Sequence, residues 1–178
     1  MRTVSGARIV LLLTVLLPAC GYSLAGRGTF LPATIKTIGI PQFTNQTPVA
    51  EVEQRFTERV RAEFIGRGKY QILPQDTNVD AILRGTITSL SITPTNFNQN
   101  QQATRYVITI ATKIEFFDVK ADKKLWENPS MVFREEYDLP PDTAAGDPKA
   151  FFGQSSNAVE RVANDFARSV VSAILEAF

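Results

Sequence analysis

No histidine occurs in the 178 residues, which removes the commonest general base and the commonest metal ligand. A single cysteine rules out an intramolecular disulfide and any cysteine-based zinc site. Neither sign of charge dominates, with 19 Lys and Arg against 18 Asp and Glu, so the basic excess that would draw nucleic acid is missing and no nucleic-acid partner is expected. There is no GxGxxG or GxxxxGK[ST] phosphate loop and no GxSxG nucleophile elbow. Glu135 and Glu136 are adjacent, so on a strand they point to opposite faces and cannot serve one substrate as paired acid and base. Asp76, Asp80, Asp118 and Asp122 fall near turns or strand ends, where solvated or capping roles are usual. The sequence therefore predicts no catalytic residue, no metal ligand and no cofactor, and the chain does not read as an enzyme.

A membrane-spanning run is missing too. The apolar stretch from Ile9 to Ala19 has eleven residues and would reach only about 16 Å as a helix, against the roughly 20 residues that a bilayer core requires. Arg2 and Arg8 before it and the small Ala19 at its end give it the layout of a secretory signal. Removing Arg2 and Arg8 with that signal leaves 17 basic residues against 18 acidic ones. The lone cysteine, Cys20, follows at once in "LLPAC", which resembles the lipobox of bacterial lipoproteins through Leu17, Ala19 and Cys20. That resemblance implies covalent diacylglycerol and N-acyl lipid on Cys20, an anchoring with more than one chain and therefore stable. Gly21 stands where an inner-membrane retention signal would place aspartate, which favours the outer membrane.

Residues 1–19 thus read as signal peptide, 20–34 as a lipid-anchored leader and 35–178 as one domain, of a size that buries a substantial core. Within it, "IKTIGIPQF" is a short β-rich run closed by Pro41. Thr47 and Pro48 have the chemistry of an N-cap and first helical position. Val52, Phe56, Val60 and Phe64 then recur every fourth residue until Gly66 and Gly68. "YQILP" and "DAILRGTITSLSITPT" are β-branched, and in the second the apolar phase moves from Leu83 and Ile87 to Leu90 and Ile92, the mark of a bulge. "TPTNFNQNQQATR" reads as a polar loop. In the strand after it Tyr106, Ile108, Ile110, Ile114 and Phe116 share one face, with Thr109, Lys113 and Glu115 on the other. "KADKK" turns that strand back into "KLWENPSMVFREEYDL" as a hairpin. "LPPDTAAGDP" breaks the pattern. Asn157 and Glu160 have capping-box spacing before a helix whose stripe is Val159, Val162, Phe166, Val170 and Ile174.

The leader "CGYSLAGRGTFLP", the run "IKTIGIPQFTNQT", the strand "ATRYVITI" and "LWENPSMVFREEYDL", in this order, resemble the lipopolysaccharide-assembly lipoprotein LptE family. The resemblance implies an α+β fold with two helices on one side of a mostly four-stranded mixed sheet, in β-α-β-β-β-α order. It also implies an outer-membrane lipoprotein that plugs and helps assemble the β-barrel LptD, one to one, and binds lipopolysaccharide on its way to the outer leaflet. A phosphate-bearing ligand calls for cations, and the candidates are Arg105, Lys113 and Lys149, with Lys120, Lys123 and Lys124 in the hairpin turn. Two rival roles fit an anchored α+β domain: docking onto a periplasmic cell-wall synthase, or assisting a lipid transporter. The leader of some fifteen residues spans at most roughly 50 Å, which favours a partner at the membrane.

Overall fold

The stripe of Val52, Phe56, Val60 and Phe64 is buried to the last residue, and it lies on helix α1, Val52–Gly66. A computed structural model of the chain describes residues 31–138, 147–152 and 157–177. The remaining elements are β1 (Thr37–Gly39), β2 (Thr44–Asn45), β3 (Gln71–Leu73), β4 (Ala81–Phe97), β5 (Ala103–Asp118) and β6 (Lys123–Asp138), then helices α2 (Pro148–Phe152) and α3 (Asn157–Leu175). The expected α+β arrangement holds. The sheet is mixed and has six strands instead of four, ordered β3-β1-β4-β5-β6, with β2 also paired to β4. Of the additional strands, β3 falls in the run "YQILP" and β2 is a two-residue piece too short to leave a periodic signal. β1 runs parallel to both β3 and β4, whereas β4, β5 and β6 are antiparallel neighbours.

Three other expectations need correction. The helix begins at Val52, not after Thr47, because the Asn45 side chain organises its own turn. Its Oδ1 accepts from the Thr47 N–H and hydroxyl, both at 2.8 Å, and its Nδ2 donates to the Val49 carbonyl and the Glu53 carboxylate. Glu51 takes the N-cap place with a left-handed φ of 63° and no side-chain cap. The polar stretch read as one long loop is mostly strand: β4 continues to Phe97 and β5 resumes at Ala103. Only residues 98–102 turn, closed by Asn98 Oδ1 accepting from the Asn100 and Gln102 N–H groups. Glu160 gives its carboxylate to Arg59 of α1 instead of to its own helix end. The break "LPPDTAAGDP" yields a short helix at its end, with Pro148 in the first position, where the missing N–H costs nothing; residues 139–146 lie outside the described residues.

The bulge is where the phase shift placed it. Ile87 pairs with Thr112 but Ser89 pairs with Ala111, leaving Thr88 as the extra residue. As a result Ala81, Leu83 and Ile87 below it, and Ile92 above it, all enter one core with Tyr106, Ile108, Ile110, Ile114 and Phe116 of β5. The helices close this face. Phe166 of α3 stacks on Phe56 of α1 at 4.7 Å between ring centroids, and Phe152 meets Phe56 edge-on at 6.0 Å. Each phenyl ring so buried contributes about 1.5–3 kcal/mol. Gly85 is needed for closeness, since a Cβ there would stand 2.7 Å from the Phe43 ring.

Candidate functional site

The opposite face of the long strands carries no part of that core. From one end to the other its cross-strand rows are Arg84 with Glu115, Thr86 with Lys113, Ser89 with Ala111 and Val132, Ser91 with Thr109 and Arg134, and Thr93 with Val107 and Glu136. Ser and Thr recur along these rows, and some of the charges are paired on the face itself. Lys113 Nζ lies 3.3 Å from Glu115, and Lys124 bridges Glu115 and Glu127. These ammonium groups, Lys113 first, hold the Glu115 carboxyl below its ordinary range. Such a face presents polarity with little net field.

The two ends of the sheet differ. At the end where β1, β3 and β4 begin, Asp80 Oδ2 accepts from the N–H groups of Lys36 and Thr37 and from the Thr37 hydroxyl, all at 2.9 Å. The Lys120 ammonium meets Asp80 Oδ1 at 2.5 Å. Lys120 first, then the two N–H donors, hold this carboxyl far below the ordinary range. Helices α1 and α3 both finish at this pole, where Arg67 reaches the Ser172 hydroxyl at 3.2 Å. A cavity of about 130 Å³ there is lined by Arg67, Lys69, Tyr70, Ser172, Leu175 and Glu176.

The other end is the tip of the β4–β5 hairpin. Arg105 forks onto Asp138 of β6, with Nε to Oδ1 at 2.7 Å and Nη2 to Oδ2 at 3.4 Å. The guanidinium side chain is 42% exposed and the carboxylate 74%. Each charge stabilises the other: the hydrogen bond holds the Asp138 carboxyl down and pushes the Arg105 guanidinium up. Phe97, on the next rung out opposite Ala103, is 60% exposed and, following Asn96 directly across from Arg105, points to the other face of the sheet. Just inside the core at this end, Tyr137 donates to Asp165 of α3 at 2.9 Å. Burial first, then that carboxylate, raises the Tyr137 phenol. Its cross-strand neighbour Tyr106 has a buried hydroxyl with no hydrogen-bond partner among the described residues.

The candidate cations are therefore not gathered into one site. Arg105 and Lys113 share the open face but sit eight residues apart on β5, about 26 Å at the strand rise. Lys149 lies beside the start of α1, lining a cleft of about 330 Å³ with Pro48, Val49, Ala50 and Glu51. Cys20 lies outside the described residues. The sequence reading missed Asp138 as the partner of Arg105 and Phe97 as an exposed ring; the first is 33 residues away, and the second was assigned to a loop. Among the described residues there is no acidic cluster able to hold a metal ion and no helix long and apolar enough to cross a membrane.

With this geometry in place, likenesses to known proteins can be stated. The family model described as LptE, lipopolysaccharide-assembly, matches residues 35–174. No curated protein matches this chain in sequence. Among solved structures, the hypothetical protein CT253 from Chlamydia trachomatis aligns with a TM-score of 0.50 at 11% identity, covering 79% of this chain and 98% of that one. The rare lipoprotein B from Shewanella oneidensis aligns at 0.48 and 15% identity, over 80% and 96% of the two chains. A leucine-to-methionine variant of the PelC dodecamer from Paraburkholderia phytofirmans aligns at 0.48 and 10% identity, over 80% and 90%. At such identities a structural likeness speaks to fold alone.

Proposed function

The chain belongs to the LptE lipopolysaccharide-assembly family, and from that premise we propose that it is an outer-membrane lipoprotein, anchored through Cys20, that plugs an LptD-like β-barrel one to one and binds lipopolysaccharide. The observation that carries the reading is the one-sided build of the sheet. One face is sealed under three helices and the other offers Thr and Ser among charges of both signs, some of them ion-paired on the face. A barrel wide enough to admit a protein has a polar, hydrated interior. A plug meeting it needs a surface that exchanges hydrogen bonds without burying unpaired charge, and the open face answers that need. The ligand-binding part of the proposal rests on Arg105, with Lys113 and Lys149 as separate secondary cations. A guanidinium can take a lipid A phosphate in the bidentate way it takes a carboxylate.

The test is purification of the full chain from its own cell through a C-terminal tag in mild detergent, with mass spectrometry of co-purifying proteins and of the N-terminal peptide. The expected result is triacylated Cys20 and a large β-barrel in equimolar amount. An acylated chain that brings down a synthase or a transporter instead would refute the plug, and an unacylated Cys20 would refute the anchor.

A further inference from the structure

Arg105 is not waiting empty-handed. Its planar fork is already closed on Asp138, a group with the same donor-matching geometry as a phosphate oxygen pair. We propose that Asp138 is a built-in competitor at the hairpin tip, occupying Arg105 until a phosphorylated amphiphile displaces it, so that Asp138 sets the affinity and the anion selectivity of the site. The inference rests on the proposed lipopolysaccharide-binding role of Arg105 and adds to it a residue that works against binding.

Two observations carry it. The bridge is exposed on both sides, 42% and 74%, so water can solvate each charge as the two part, and exchange for another anion is cheap. Asp138 is the last residue of β6, while Arg105 sits third in β5. The carboxylate can therefore swing away without breaking an interior strand.

Competition and support make opposite predictions. A carboxylate that merely orients Arg105 would help the ligand, and its loss would weaken binding; a competitor's loss tightens it. The probe is diphosphoryl lipid A, titrated against the full acylated chain in non-ionic detergent, with Glu136→Gln as control because Glu136 lies near the guanidinium without a hydrogen bond to it. Asp138→Asn should tighten binding about threefold to tenfold, the scale of an exposed ion pair plus removal of a repelling charge. Glu136→Gln should shift it less, and Arg105→Gln should weaken it and erase the Asp138→Asn gain in the double variant. The tightening should shrink for monophosphoryl lipid A and vanish for a zwitterionic phospholipid. Weaker or unaltered binding by Asp138→Asn, or equal gains from Asp138→Asn and Glu136→Gln, would overturn the competitor while leaving Arg105 as a ligand. Arg105→Gln without effect would overturn the binding site itself. Near-ultraviolet circular dichroism on each variant separates these outcomes from misfolding.

Discussion

Asp80 and Asp138 are both aspartates at the ends of the same sheet, each paired with one cation, yet they do opposite things. Asp80 is 13% exposed in its side chain and accepts from two backbone N–H groups and a hydroxyl as well as from Lys120. It ties the start of β1 to the residue before β4. Asp138 makes its ion pair in the open and holds no backbone group together in the described contacts. The lesson is that an ion pair takes its meaning from what else the carboxylate is bonded to. One pole is fastened and the other is exchangeable.

That contrast can be tested from its strongest effect downward. Phe166→Ala removes the ring stacked on Phe56 beneath the covered face and should cost about 3–5 kcal/mol, read as a lower guanidinium midpoint. A loss under about 1 kcal/mol would mean that the helices hold the sheet loosely. Asp80→Ala should cost about 2 kcal/mol, since the N–H groups of Lys36 and Thr37 lose their acceptor. The pH dependence sharpens this point. Asp80 has a folded pKa depressed from an ordinary value of 3.8, so its stabilisation is complete above that value and fades as acid protonates it towards the folded pKa. Asp80→Asn should flatten the loss of stability below about pH 4, and a slope identical to that of the unaltered chain would remove Asp80 from the fastened pole. Smallest is the tip: Phe97→Ser should move the melting temperature by less than about 2 °C. A larger drop would show the tip to be under tertiary load and not free for exchange.

How much of this could be read beforehand depended on whether the cause was local. The stripes on α1 and α3, the alternation of β5 and the phase shift at Thr88 are written in neighbouring residues and were legible. The insertion of β1 between β3 and β4 was not, because parallel pairing across some forty residues leaves no periodic trace. The start of α1 was misread because the Asn45 side chain outcompetes Thr47 for the nearby backbone groups. For the candidate site, the cations were visible as residue types. Their separation, and the partner that holds Arg105, follow from strand register, which a single sequence does not print.

The extra residue at Thr88 has a consequence for how this chain can change length. Below it the inward positions of β4 are odd-numbered, Leu83, Gly85 and Ile87; above it they are even-numbered, Leu90, Ile92 and Pro94. The strand thus counts in two different phases. Deleting Thr88 would leave a regular ladder with every inward residue still inward, whereas drawing Thr88 into the ladder would turn Ser89, Ser91 and Thr93 under the helices and Leu90 and Ile92 out to water. Length variation is tolerable where no ladder position has to be kept, at Thr88 itself and at the 98–102 turn. With Thr88 present, its exclusion from the ladder is what keeps both halves of the hairpin facing the same way.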